Sequence, residues 1–383
     1  MFCQRRCSPT WLARESGAIS MKILNVMWAG GSPYLSIHKV HQHVLSHAGA
    51  DARISHWLLL GGELCHSDQN TRAWHMPQRA LKGKNLWRLL RPWLRLRLRK
   101  ALKEAGAQVI LLDGIGVARL VLPVLKHMPE VRAKVLFHGM TRLTPSDVSL
   151  LSRLPAEQVC VAAVSDTLAR ALQRGIGRPV QALRMAFDPL AFTASLLGRE
   201  QARHVLALPA TEGVLFGAVG RLVESKGFDM LIEAFASAVA QQPGIQLAIV
   251  GDGPLRASLQ ARIDSLGLTA TVHLCGHHDD LERLYRAFDW LMVPSRAEGL
   301  GLVVQEAVIA DVPVVCTDLP VFREQLQDSA RYLPVDDTQA WAQEMARCDA
   351  ARALVVAGQQ RRALAPEVAW QAFCDGAHSL LRG

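Results

Sequence analysis

No run of about 18–20 apolar residues occurs in this chain of 383 residues, although half of it is apolar, so nothing in it reads as a transmembrane helix. The first twenty residues carry Arg5, Arg6, Arg14 and Glu15 and no continuous apolar core, which excludes a secretory signal. Met21 directly precedes the first good strand, so residues 1–20 are expected to be a disordered tail or a mis-assigned start. The eight cysteines include no CxxC pair and follow no regular spacing, the usage expected of free thiols in a reducing cytosol. HExxH is also absent. His38, His41, His43 and His47 fall on one expected helix, but without an acidic partner they read as its polar face rather than as a metal site. Gly30 and Gly31 follow the first strand without a full GxGxxG, and no acid closes the next strand, so a dinucleotide-binding dehydrogenase fits poorly. Internal repeats and low-complexity tracts are missing too.

What is present begins with charge. The net charge is +9, and residues 79–103 hold ten Lys or Arg and no acid, so the rest of the chain is close to neutral. Leu and Trp interleave with these cations. The composition fits a solvated helix face, and one basic patch without a reader motif is thin support for nucleic acid. It fits best a segment lying in an anionic membrane interface, with Trp87, Arg88, Arg91, Trp93 and Arg95 as the docking residues. Pro92 is expected to kink or divide the helix, and the strict alternation of Arg95 to Arg99 leaves a short strand open.

The length permits two hydrophobic cores. Strands read at Lys22–Met27, Ile54–Leu60, Val109–Leu112, Lys134–Phe137, Val159–Val164 and Val180–Leu183. After a linker over 185–212 they resume at Val214–Val219, Gln246–Val250, Thr271–Leu274, Trp290–Val293 and Val312–Cys316. Strands separated by helical stretches call for parallel sheets covered on both faces. The expected architecture is α/β, two Rossmann-like domains facing each other across a cleft. The expected boundaries are residues 21–186 for an acceptor-binding unit and 187–362 for a nucleotide-sugar-binding unit, with 363–383 a terminal helix that could pack back across the hinge.

The polar residues that carry chemistry gather where the second set of strands ends. Gly220-Arg221 and Lys226-Gly227 follow one strand, and two cations at a strand end can reach a pyrophosphate. Gly251-Asp252-Gly253-Pro254 is a tight turn before a helix, and His277 lies past a third strand. Then comes Pro294-Ser295-Arg296-Ala297-Glu298-Gly299-Leu300-Gly301-Leu302, with Glu306 eight positions after Glu298 and one turn inside a helix. Backbone N–H groups around Gly299 to Leu302, with the helix dipole, make a seat for an anion such as a diphosphate. The two carboxylates can then accept hydrogen bonds from sugar hydroxyls. Each motif alone is common; their company is not.

In that order and spacing the motifs resemble the GT4 glycosyltransferases of the GT-B fold, over about residues 214–316 closely and over 22–190 more loosely. The resemblance implies a retaining enzyme that uses a nucleotide-activated sugar. It implies that Arg221 and Lys226 hold the donor diphosphate, that Glu298 contacts the transferred sugar and that Glu306 binds the ribose. Gly30 and Gly31 would let the ligands approach the backbone, Gly251, Gly253, His277, Gly299, Leu300, Gly301 and Leu302 would line the donor site, and His138 would stand near the reacting sugar. No Asp-x-Asp occurs, so no cofactor and no metal requirement is expected, the two cations taking the metal's place. Three departures from the family pattern bear on sugar identity: Asp311 stands where Gly is usual, Asp113 where relatives often carry His, and the stretch after Leu319 lacks a later glycine turn. The reading is a cytoplasmic enzyme, peripheral on the inner face of the plasma membrane. Its partners would be a nucleotide-diphosphate sugar and a glycan or glycolipid acceptor of the lipopolysaccharide or exopolysaccharide type, and not nucleic acid. The alternatives are a nucleotide-sugar epimerase of the same fold and a catalytically degenerate scaffold.

Overall fold

Runs such as Leu215–Val219, Trp290–Val293 and Val314–Thr317 are buried at every position. Only a strand covered on both faces asks for that pattern, and only parallel sheets with crossover helices supply the cover. The computed structural model describes residues 21–30, 34–62, 70–78, 91–139, 141–209 and 212–383. It contains two all-parallel sheets. The first joins β1 (Lys22–Met27), β2 (Arg53–Leu58), β3 (Thr71–Ala73), β4 (Val109–Asp113), β5 (Arg132–Phe137), β6 (Val159–Ala163) and β7 (Gln181–Ala182) in the order 3-2-1-4-5-6-7. The second joins β8 (Leu215–Val219), β9 (Gln246–Val250), β10 (Val272–Gly276), β11 (Trp290–Val293), β12 (Val314–Thr317) and β13 (Arg331–Leu333) in the order 10-9-8-11-12-13. Both orders reverse direction after their first strand, at β1/β4 and at β8/β11. A crevice opens there at the carboxyl ends of the strands, which is where such sheets take ligands. The expected pair of Rossmann-like units is what the chain forms.

Four local expectations need correction. Arg95 to Arg99 is not a strand but part of a helix, Arg91–Ala105, because Leu98, Ala101 and Leu102 are buried together at helical spacing. The linker over 185–212 contains two short helices, Pro189–Ser195, capped by Asp188, and Arg199–Val205. Edge strands β3 and β13 were not expected: each has three residues, partly exposed and not uniformly apolar. The helix Leu35–Leu45 does not present its histidines as a polar face, since His38 and His41 are buried. Residues 1–20, Gly31, Trp87 and Arg88 lie outside the described residues.

The two units meet through specific polar contacts. Glu324 accepts hydrogen bonds from the backbone N–H groups of Asp166 (2.8 Å) and Thr167 (2.7 Å), which open the helix Asp166–Ile176 of the first unit. First-turn N–H groups have no partner within their own helix, and an anion there also meets the favourable end of the dipole. Gln305 donates to the Met185 carbonyl (2.8 Å), and Lys39 pairs with Glu282 (3.2 Å). The last helix, Pro366–Arg382, buries Phe373, Ala377, Leu380 and Leu381 in the core of the first unit.

The closest approach is backbone to backbone. A Cβ on Gly299 would lie 2.3 Å from the His138 carbonyl oxygen and 2.8 Å from Gly139 Cα. Gly299→Ala is therefore expected to keep the far-UV circular dichroism of the wild type while enlarging the radius of gyration in small-angle scattering. Identical scattering would show that this contact does not hold the units together.

Candidate functional site

A cleft of about 870 Å³ opens between the two crevices. Its wall includes Arg221, Lys226, Gly251, Gly253, His277, Glu298, Gly299, Leu300, Gly301, Leu302 and Glu306 from the second unit, and His138 from the first. Twelve expected site residues are thus brought together. Gly30 is not among them: its N–H is donated to the Gly61 carbonyl (2.9 Å) and it does not line the cleft. Trp93 and Arg95 are exposed on the helix Arg91–Ala105, which also contains Arg91.

The loop from β11 is shaped by its own hydrogen bonds. Thr317 on β12 donates to the Ser295 carbonyl (2.6 Å), and Ser295 Oγ donates to Glu298 Oε1 (3.1 Å). Gly301 then takes a left-handed φ of 68° as the residue before the helix Leu302–Ile309, against Phe322, where a Cβ would collide. No side chain caps that helix, so its first N–H groups are left for a ligand in the cleft.

Lys226 and Glu298 form an ion pair across the two loops, both side chains mostly shielded from water. Arg221 is exposed at the rim and has no side-chain partner among the described residues. A cation without a side-chain partner, beside one held by a carboxylate, is an arrangement that can receive a doubly charged group. His277 stays at the edge, 3.2 Å from Asp279.

Two positioning residues have no role assigned from the sequence: Tyr285 lies outside the motifs, and Arg296 is an unassigned position within one of them. Arg296 donates to both Asp229 oxygens (3.0 and 2.9 Å), to Asp336 (2.8 Å) and to the Glu224 carbonyl (2.6 Å), while its own N–H bonds the Ser225 carbonyl (2.8 Å). It fixes the loop carrying Lys226 against the loop carrying Glu298, and its planar fork suits that task. Tyr285 is fully buried and its hydroxyl donates to Glu306 Oε2 (2.5 Å). Burial pushes the Glu306 carboxyl above its ordinary 4.5, the Tyr285 hydrogen bond and the Lys39 and Lys226 charges working against the rise. Burial and the neighbouring Glu306 charge push the Tyr285 phenol well above 10, so Tyr285 remains the donor.

On the first unit, His138 follows β5 and Asp113 ends β4. Burial lowers the His138 ring to about 4, and burial raises the Asp113 carboxyl to about 6 against the opposing hydrogen bond from the Trp28 N–H. His138 is therefore an uncharged ring at neutral pH. His38 bonds the Ala29 carbonyl (2.8 Å), and His41 stands between Asn25 and His138. The histidine spacing had been visible in the sequence, but the burial that gives it meaning comes from the turn after β1. Asp311, where Gly is usual, has a left-handed φ of 63°, a conformation that Asp adopts more readily than most residues.

Tyr285→Phe strips the half-buried Glu306 carboxylate of its donor at almost constant volume. It is expected to cost about 1.5–3 kcal/mol in urea unfolding. A loss below about 0.5 kcal/mol would mean that water or another donor replaces it.

Comparison with known proteins agrees with this geometry. Residues 213–350 match the family model described as glycosyl transferases group 1. A D-inositol 3-phosphate glycosyltransferase of Segniliparus rotundus is 31% identical over 188 residues, 46% of this chain and 41% of that protein. The lipopolysaccharide core biosynthesis mannosyltransferase LpsB of Rhizobium meliloti is 30% identical over 152 residues, 37% of this chain and 43% of that protein. The matches thus span about two-fifths of these relatives' length. The structure of Anabaena HepE in complex with UDP superimposes with a TM-score of 0.71 at 18% identity, covering 94% of this chain and 98% of that one, a likeness of fold. The residues that converge on the cleft fall largely within the matched segment, and it is this segment, residues 213–350, that carries the group 1 glycosyltransferase family match, within a chain of GT-B fold.

Proposed function

We propose that this protein transfers a sugar, with retention of anomeric configuration, from a nucleotide-diphosphate sugar to a glycan or glycolipid acceptor of the cell-envelope type. The observation that carries the reading is the convergence of Arg221, Lys226, Glu298, the open start of the helix Leu302–Ile309 and Glu306 on one cleft. HepE's complex with UDP supports UDP as the first nucleotide to test, and LpsB supports a lipopolysaccharide-type acceptor.

Breaking a sugar–diphosphate bond builds negative charge on the diphosphate and positive charge on the anomeric carbon. Arg221, Lys226 and the helix start offset the first, and such preorganised groups are worth several kcal/mol in a water-poor site. When the diphosphate takes Lys226, Glu298 is released to accept hydrogen bonds from the sugar hydroxyls. Glu306, held by Tyr285, accepts from the ribose. Contact between the units at Gly299 excludes water that would hydrolyse the donor.

Calorimetry with UDP and turnover of UDP-sugars test the reading. Glu306→Gln is expected to weaken UDP binding about 10- to 100-fold, the equivalent of about 1.5–3 kcal/mol of charge-assisted hydrogen bonding. The sign of the pH dependence follows from the raised carboxyl. Wild-type affinity falls as pH drops through a midpoint above 4.5, where Glu306 takes up a proton, and the Gln variant loses that inflection. Absence of binding to UDP, GDP and ADP alike would remove the transferase reading.

The membrane clause rests on the helix Arg91–Ala105, where Trp93 is 59% and Leu96 65% exposed between arginines. Arg97 lies over the rings of Trp93 (5.6 Å) and Trp74 (5.3 Å). Among the described residues no helix is long and apolar enough to cross a membrane. The double variant Trp93→Ala, Arg95→Glu is expected to stop co-sedimenting with vesicles rich in anionic lipid while keeping its affinity for UDP. Undiminished sedimentation would move the lipid contact elsewhere.

A further inference from the structure

At the carboxyl ends of β4 and β5 three side chains converge, of which the transfer reaction accounts only for His138, in the cleft wall, and not for His41 and Asp113 behind it. His41 Nε2 and His138 Nε2 are 3.0 Å apart, Asp113 Oδ1 is 3.7 Å from His138 Nε2, and one ligand atom from each of the three lies within 4.8 Å of the others. His41 is fully buried, and the other two side chains are nearly so. As a hydrogen-bonded group the arrangement is incomplete. Two imidazole nitrogens facing each other share one proton, and Asp113 Oδ1 is too far to take part. His138 Nδ1, also buried, has no hydrogen-bond partner among the described residues.

The surroundings prepare a lone pair. Asn25 directs its amide nitrogen to His56 Nδ1 (3.2 Å) and its oxygen to His41 Nδ1 (2.6 Å). The His41 proton therefore sits on Nδ1, and Nε2 turns its free pair toward His138. Holding the far ring nitrogen by an amide or carboxylate is how proteins fix an imidazole for a metal. Separations of 3.0 and 3.7 Å bracket the roughly 3.3 Å expected between tetrahedral zinc ligands about 2.0–2.1 Å from the ion. Two neutral imidazoles and one carboxylate suit a borderline ion of the zinc class rather than magnesium or calcium. His138 also lines the cleft, which provides a way in and leaves one face of the ion open.

We propose that His41, His138 and Asp113 form a binding site for a divalent transition metal, zinc or a close relative, on the first unit's side of the cleft. The site is separate from the diphosphate cradle of Arg221 and Lys226 and does not rest on the transferase reading.

The test uses the full chain, stripped with chelator and without nucleotide. Zn²⁺ is titrated by calorimetry and Co²⁺ by visible absorption, into wild type and into Asp113→Asn and His41→Asn, with circular dichroism confirming that each is folded. The expected result is one ion per chain, a Co²⁺ spectrum of nitrogen and oxygen ligation, and at least tenfold weaker binding in both variants. Asp113→Asn changes a single oxygen to an amide, so it keeps the test decisive if His41→Asn does not fold. Three results would overturn the proposal: no stoichiometric binding, equal binding in Asp113→Asn, or a thiolate charge-transfer band that assigns the ion to a cysteine such as Cys374 beside His47. UDP affinity of the metal-free protein, measured separately, reports on the nucleotide site, so the two readings fail independently.

Discussion

The backbone of Gly299 lies against the His138 carbonyl, and this contact between two separately folded sheets governs the rest of the site. Each sheet has a crevice at its own switch point. Brought together they enclose one cleft, with cations and carboxylates on one wall and uncharged histidine on the other. Only a residue without a Cβ permits that distance. The polar contacts around it, from Glu324 to the start of the helix Asp166–Ile176 and from Lys39 to Glu282, are water-exposed or partly so. An exposed pair such as Lys39–Glu282 contributes little on its own, about 0–1 kcal/mol.

Within the second unit, rigidity is concentrated where charge has to be placed. Arg296 spends its guanidinium on Asp229, Asp336 and a carbonyl, so it has no role toward a ligand beyond fixing the loops that carry Lys226 and Glu298. Tyr285 does the same for Glu306. By contrast, Lys226 is held by Glu298 alone among the described residues, while Glu298 keeps a second contact in the Ser295 hydroxyl, so that the ion pair can open without rebuilding the loops. Fixed supports and exchangeable contacts are thus assigned to different side chains.

Much of this was legible in the sequence, for physical reasons. Fully buried parallel strands write continuous apolar runs, so Lys22–Met27, Gln246–Val250 and Trp290–Val293 could be read to the residue. Loops at the sheet switch point need glycine for close approach and charge for the ligand, which is why residues 220–227 and 294–306 were conspicuous. What the sequence did not reveal depends on contacts between distant segments. Tyr285 and Arg296 look ordinary until folding brings Glu306 and Asp229 to them. His41 lay in a visible cluster but was assigned to a polar face, because helical spacing says which residues share a side and not what that side meets. Edge strands β3 and β13 were missed because three partly exposed residues leave no pattern.

A nucleotide diphosphate is expected to occupy the cleft between the two switch points. Amide hydrogen exchange with and without UDP tests it across the whole chain at once. The account predicts slowed exchange at residues 220–227, 251–253 and 298–306 and, through closure, at the strand end carrying His138. Unchanged exchange at those segments under saturating UDP, or protection confined to a surface away from them, would contradict it.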